Sequence, residues 1–511
     1  MLPYLQETQN ASKKYSVLFR GINYGEGTQD GEFADTFNLS TDKYPCLTQR
    51  AARVAVRSFA KPSTLHSKGK ILVIDGTDVY YGEEKVGEVT EGKKQTATIG
   101  NYIVIFPDKK YYKVPTEDDK DGEFGSMEET YTAEGLSFTA SSIKTDDANF
   151  KFREGDAVTI KGCTNTENNK TAEIIIRNAT ASELTFDENT FTEATESGSV
   201  TIQRSVPDLD FICESNYRLW GTHGNTIYSS KFSDPFNFQV FDGLANDSYA
   251  IEVGSEGEFT GCIPYSSHIC FFKENTLHKL YGTKPSNFQV TTANVFGVQS
   301  GSERSLHIVN EQLLYKGVGG VYAYTGGVPE LISSNFGNRR YSDAVACCDG
   351  EKYYISMRQG EEWNTFAYDV ARNIWLREDD THAVDMAFYD GKVYYLDAEG
   401  GLYYIDKAAD RSDIEWGATF CTMHETMNER KGYSKFHLRM DLAAGAWLAV
   451  DIKTDNDTMW KQVYTTHNER AKTVSIPIMP TRCDSIDIRL RGKGNCTVKA
   501  FIREFTTGSD I

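Results

Sequence analysis

The sequence predicts an all-β fold: a β-propeller of about seven blades, an inserted small β-barrel and a C-terminal β-sandwich. The first observation behind this is a repeated turn. Asp234-Pro235-Phe236-Asn237-Phe238-Gln239-Val240 returns fifty residues later as Lys284-Pro285-Ser286-Asn287-Phe288-Gln289-Val290. Each copy follows a hairpin pattern, Tyr217 to Thr222 with Asn225 to Tyr228, then His268 to Phe272 with Asn275 to Tyr281. A period of roughly 40–50 residues with several short strands per unit marks propeller blades, none of which can bury its apolar face alone. The second is composition: 29 Tyr and 28 Phe stand against 12 Pro, and aromatic side chains suit a pleated, half-buried surface. The third is a change of period after Ile414, where clean apolar-polar alternation begins.

Residues 1 to 60 are Gly-rich and weakly periodic, an extended arm, and residues 1 to 14 are the sole candidate for a helical period. Blade-like pairs start with Ile71 to Gly76 and Val79 to Gly82, then Asn101 to Phe106 and Lys110 to Val114. The propeller is therefore assigned to 61–116 and 206–412. Between them, residues 117–205 hold short strands such as Ala157-Val158-Thr159-Ile160 and Ala172 to Arg177, joined by polar turns, which predicts an inserted barrel. Blades resume at Pro207 and run on through Leu306 to Tyr324, Lys352 to Arg377 and Ala387 to Asp406. A strand from the opposite terminus often closes such a ring. Residues 413–511 alternate through Phe436 to Leu442, Trp447 to Ile452, Val474 to Ile478, Ser485 to Leu490 and Thr497 to Ile502, a sandwich.

Lys plus Arg number 54 and Asp plus Glu 73, a net charge of -19, which disfavours a sequence-independent grip on nucleic acid. It does not exclude a conduit whose wall must avoid sticking to a polyanion. The N-terminus lacks a basic segment followed by an apolar core, and no stretch reaches the roughly 18 apolar residues of a membrane span. The expectation is a soluble chain made in the cytoplasm, without a membrane anchor. Ten Cys are scattered without a CxxC pair, and only Cys347 and Cys348 adjoin, so they read as small buried hydrophobes.

No HExxH, phosphate loop or GxSxG elbow occurs, and the nine His lie in unrelated segments. Glu117, Asp119, Asp121, Gly122 and Glu128 fall at EF-hand positions 1, 3, 5, 6 and 12, with Phe124 at the apolar position 8. Position 1 is Glu rather than Asp, and Tyr111 to Pro115 before it reads as strand, so the segment is taken as a solvated acidic linker. Asp455 to Trp460 approaches the Asp-box of sialidase propellers, but Lys453 and Asp457 stand where that box needs Ser or Thr and Gly. This predicts a tight hairpin with a buried Trp460. No catalytic, cofactor-binding or metal residue is assigned and no cofactor is expected; the aromatics read chiefly as packing between blades, with Trp220, Phe238, Phe272 and Phe288 expected to be buried.

Tyr217 to Gly221, Ile227 to Lys231 and Ser233 to Phe238 resemble a stretch of tailed-bacteriophage stabilisation or nozzle (tail-hub) proteins. Phe271 to Glu274, Lys279 to Gly282, Pro285 to Gln289, Gly301 to Ser305, and the N-terminal Asn38 to Ser40 and Tyr44 to Arg50 resemble them as well. The resemblance covers 15–60 and 207–405. It implies a non-enzymatic virion protein of neck or tail, assembled in the host cytoplasm as a ring, a hexamer by resemblance, that prolongs the portal channel and retains packaged DNA. Its partners would be itself, an adaptor or portal-proximal ring, and tail needle or fibres, with DNA passing the lumen without specific binding. The alternatives are a receptor- or glycan-binding tail protein and, third, a propeller glycosidase, which needs two carboxylates in a cleft.

Overall fold

Short apolar strands fold back on themselves wherever the turn tolerates a left-handed backbone. Asn216 and Tyr217 (φ 52° and 57°) join Phe211–Ser215 to Arg218–His223, and Asp390 and Gly391 (φ 48° and 72°) join Ala383–Tyr389 to Lys392–Asp397. The computed structural model describes residues 11–425, 429–455, 457–468, 470, 472–479 and 482–510, with backbone alone at 509 and 510. They form two compact units, 60–303 and 1–59 with 304–511. The fold is all-β, and among the described residues no helix is long and apolar enough to cross a membrane.

The unit 60–303 contains four antiparallel meanders of four strands each, starting at Pro62, Gln95, Phe211 and Phe259. Each meander buries its faces against the next. Leu72, Ile74 and Val79 of the first meet Ile103, Ile105 and Tyr112 of the second. Ala97, Val104 and Phe106 of the second meet Leu219, Phe236 and Phe238 of the third. Trp220 and Ile227 of the third meet Ile269, Phe271 and Leu280 of the fourth. This is how a four-stranded sheet with two apolar faces escapes water.

Glu123–Ser126 pairs with Lys110–Lys113 as the fourth strand of the second meander, so the acidic stretch runs into a hairpin. The sheets that interrupt the meanders begin at Glu129. One has four strands, Glu129–Ala133, Val200–Arg204, Ala157–Lys161 and Lys170–Ile175, and the other has five short ones between Ser137 and Thr195. Leu136, Phe138, Ile143, Val158, Ile160, Leu184 and Ile202 form their common core.

The other unit holds three more meanders of four strands, starting at His307, Ser342 and Ala383. The last takes its fourth strand from the N-terminal region: Ala52–Ser58 pairs antiparallel with Gly401–Asp406. A six-stranded and a seven-stranded sheet complete this unit around one core that includes Phe33, Trp416, Phe436, Leu448, Ile488 and Phe501. The arm is woven into both sheets. Glu32–Phe37 pairs with Glu415–Phe420, Leu47–Gln49 with Cys496–Asp510, and Ser12–Ser16 with Cys496–Asp510. The helical period expected for 1–14 is corrected where it can be seen, because Ser12–Ser16 is a strand; residues 1–10 lie outside the described residues.

The repeated turn lies between the third and fourth strands of its meander in both copies, but the copies are not equally covered. Phe238 is 1% exposed, Trp220 2% and Phe272 0%, as expected, whereas Phe288 is half-buried. After Phe238 the chain makes a further loop from 241 to 248 before the fourth strand, whereas Phe288 runs straight into Gln289–Asn294. Phe238→Ala is therefore expected to destabilise the protein by about 3 kcal/mol and Phe288→Ala by about 1 kcal/mol. Urea unfolding of the two variants checks the difference, and equal losses would contradict it.

Candidate functional site

One of the resembling stretches, Tyr217 to Phe238, builds and braces the loop from Ser229 to Ser248. Arg218, 1% exposed, enters from the second strand of the third meander. Its guanidinium donates to the carbonyls of Ser230 (2.9 Å), Asp247 (2.5 Å) and Ala245 (2.8 Å), tying both ends of the loop together. The Leu219 amide donates to Ser230 Oγ at 3.0 Å. Burial pulls the Arg218 guanidinium below its usual range, opposed by the Asp247 carboxylate.

The turn itself reaches the inserted sheets. Asn237 Nδ2 donates to Asp234 Oδ2 (2.7 Å) and to Asp156 Oδ1 (2.9 Å), while its Oδ1 accepts from the Ala157 amide (3.1 Å). Asp156 Oδ2 in turn accepts from Arg204 at 2.6 Å, and both side chains are nearly inaccessible. Asp156 directly precedes one inserted strand and Arg204 ends another, so one buried Asp-Asn-Arg cluster seats the insertion against the third meander. Phe236 lies under the Arg153 and Arg204 guanidinia, 5.0 and 5.4 Å away, and edge-on to Tyr111. In the second copy Asn287 Oδ1 only caps its own turn, accepting from the Thr283 and Lys284 amides at 3.0 Å.

A cleft of about 320 Å³ opens where the third and fourth meanders meet, lined by Ser215, Arg218, Trp220, Ser266, His268 and Phe288 among others. Trp220 Nε1 donates to the Ser215 carbonyl at 3.2 Å, and its ring lies 5.2 Å from Phe288. Burial and then the nearby Lys279 ammonium push the His268 imidazole down, which favours its neutral form. No Asp or Glu lines the cleft, so it lacks the carboxylate pair that glycoside hydrolysis requires.

The acidic stretch is drawn to lysines. Asp119 lies 2.6 Å from Lys113 Nζ and Glu128 2.9 Å from Lys109 Nζ, and both cations sit on or beside the preceding strand. Asp119 is held below the usual carboxylate range by its hydrogen bond from Lys113. Among the described residues no group of three or more His, Cys, Asp or Glu is placed to hold a metal. At the near Asp-box, Trp447–Thr454 and Lys461–Thr466 do form a hairpin, while Asn456 lies outside the described residues. Trp460 is only half-buried, which corrects the expectation; its ring lies between the Lys453 ammonium (4.7 Å) and the Arg489 guanidinium (4.5 Å). All ten Cys are free thiols, and most are buried, Cys347 at 1% exposure.

Sequence reasoning did not find the Asp156-Asn237-Arg204 cluster, because 48 residues separate Asp156 from Arg204 and 81 separate it from Asn237. The one usable signal was that Asn is kept in both copies of the turn, as are Pro, Phe, Gln and Val, while Asp234 and Phe236 give way to Lys284 and Ser286.

No family model matches the chain, and no curated protein matches it. Among solved structures it is similar to BamB from Moraxella catarrhalis, at 10% identity over 71% of this chain and 98% of that one, with a TM-score of 0.35. It is similar also to the computationally designed Ika8 protein, at 9% identity over 70% of this chain and 99% of that one, TM-score 0.31. A third is exo-beta-1,3-galactanase from Phanerochaete chrysosporium, at 8% identity over 56% of this chain and 92% of that one, TM-score 0.23. Likenesses this weak say nothing of what the chain does.

Proposed function

We propose that the chain is a non-enzymatic structural protein of a tailed-phage virion, a neck or tail component that prolongs the portal channel and helps to retain packaged DNA. In this reading the seven meanders are the blades of one propeller, closed by the Ala52–Ser58 strand, with the inserted domain starting at 127 rather than 117, because Glu123–Ser126 pairs within the second meander, and running to 205, and with the arm and 413–511 as a sandwich. The observation that carries it is how the resembling residues are used. The polar groups of Arg218, Ser230, Asp234 and Asn237 are engaged inside the molecule, as befits a scaffold. Large apolar side chains of the same segment are turned outward: Tyr217, Phe232, Phe241 and Leu244 are 64%, 45%, 58% and 58% exposed.

Exposed apolar side chains gathered on one segment mark a protein-protein contact, and repeated copies of one chain are the partner a ring supplies. The net charge of -19 supports a channel wall that repels phosphates and lets them slide. An adaptor or portal-proximal ring and a needle or fibres complete the partners of this reading. Phage particles lacking the protein should package DNA and then leak it. Particles that keep their genome and a complete tail but fail to adsorb would replace this reading with a receptor-binding one.

A further inference from the structure

In the unit that joins 1–59 to 304–511, the turn after Gln312–Gly317 and the connection from Ser333 to Tyr341 lie at one end of the fifth meander. A meander reverses at every turn, so its second turn and its exit come to the same end. Between them is a cavity of about 180 Å³, lined by Lys316, Gly320, Ser333, Arg339, Arg340 and Tyr341 among others. The lining includes three cations and no Asp or Glu, in a chain with 73 acidic residues against 54 basic ones.

Lys316 is buried, and Arg339 and Arg340 stand at the rim. Lys316 is 1% exposed, and burial, with the Arg340 guanidinium adding to it, pushes its ammonium down to about 8. The Arg339 guanidinium lies flat on the Tyr24 ring, 3.4 Å from its centre, and the Arg340 guanidinium is anchored to the Gly337 and Arg339 carbonyls at 3.4 and 3.3 Å. Tyr341 is 5% exposed, and its buried hydroxyl has the Arg339 guanidinium, a donor, beside it and no acceptor for its own proton. A buried hydroxyl proton without an acceptor costs about 1–3 kcal/mol, and an anion seated beside it would supply one. The acidic group that faces Tyr24 and Tyr341 is Asp35, which is engaged by Arg377 at 2.7 and 3.0 Å. Tyr322 faces Arg340 from the neighbouring strand.

We infer that this cavity is a binding site for a phosphate-type oxyanion, held by Lys316, Arg339 and Arg340 and by a hydrogen bond donated from the Tyr341 hydroxyl. Cations on several sides with an acid-free lining suit a compact anion, since each charge-assisted hydrogen bond is about twice as strong as a neutral one. The volume is below the roughly 300–1,000 Å³ of sites for drug-sized ligands, so it takes the oxyanion group itself with some water. The phosphate can be free or belong to the backbone of a nucleic acid strand inserted from outside. The inference does not rest on the virion reading.

Calorimetry of the full chain with inorganic phosphate, and anisotropy with a labelled single-stranded oligonucleotide, test it. Phosphate should bind the wild type, more weakly as pH rises through about 8 and Lys316 loses its proton. Arg340→Gln, an exposed position that should leave folding intact, should weaken binding about tenfold or more, and Tyr341→Phe should weaken it several-fold. Oligonucleotide binding that phosphate displaces and Arg340→Gln weakens equally identifies the phosphodiester as the source. Phosphate binding without it identifies free phosphate. No phosphate binding by the wild type, or unchanged binding in Arg340→Gln, Arg339→Gln and Tyr341→Phe with wild-type circular dichroism, would overturn the inference.

Discussion

Arg218→Met should destabilise the 60–303 unit on the order of 5 kcal/mol, the largest loss expected of any single change considered. The substitution keeps the apolar stem but strips the buried carbonyls of Ser230 and Asp247, and the more exposed one of Ala245, of their donor. Each unsatisfied carbonyl costs about 1–3 kcal/mol, and water reaches the released loop only in part. Asp247, 3% exposed, also loses the cation beside it. Chemical denaturation followed by Trp fluorescence reads the loss, since Trp220 lies on the same strand. A loss under about 1 kcal/mol would mean that the loop is held without Arg218.

The second large effect is expected at Asp156→Ala, about 3–5 kcal/mol, because removing one partner of a buried pair leaves the other charge uncompensated. Arg204 would keep the Met127 carbonyl at 3.1 Å and the Phe236 ring but no carboxylate, and Asn237 Nδ2 would lose its link to the inserted sheets. Hydrogen exchange should quicken across 129–204 ahead of the meanders, since the cluster seats that segment. Arg177→Gln is the internal control: its pairs with Asp187 and Asp242 are exposed and should contribute under about 1 kcal/mol. Equal losses from the two variants would show that the cluster at Asp156 is not special.

What could be read from the sequence follows from the range over which each signal acts. Hairpins such as Tyr217 to Tyr228 and Ala387 to Asp406 were legible because alternation and turn residues lie within a few positions of each other. The change of period near Ile414 was legible for the same reason, and the six- and seven-stranded sheets lie beyond it. The arm's place in those sheets was not. Its strands at Gly21–Ile22, Leu39–Ser40 and Leu47–Gln49 are two or three residues long, too short for a period, and the pairings that tie the arm to those sheets, such as Leu47–Gln49 with Cys496–Asp510 and Glu32–Phe37 with Glu415–Phe420, join opposite ends of the sequence. Phe288 was misjudged because equivalent places in a repeat were equated with equal cover, whereas cover depends on the loop that follows. The Lys316, Arg339 and Arg340 cavity was invisible, since nothing in a run of residues says which turns share one end of a sheet.

The central claim is that this chain is built to be one of several identical parts of a virion channel. A cryo-EM map of the purified phage particle tests it most directly. The account predicts symmetric density for multiple copies below the portal, continuous with the DNA path, with Phe241 and Leu244 covered by a neighbouring copy. Copies found only at fibre tips, or a particle without the chain, would contradict it.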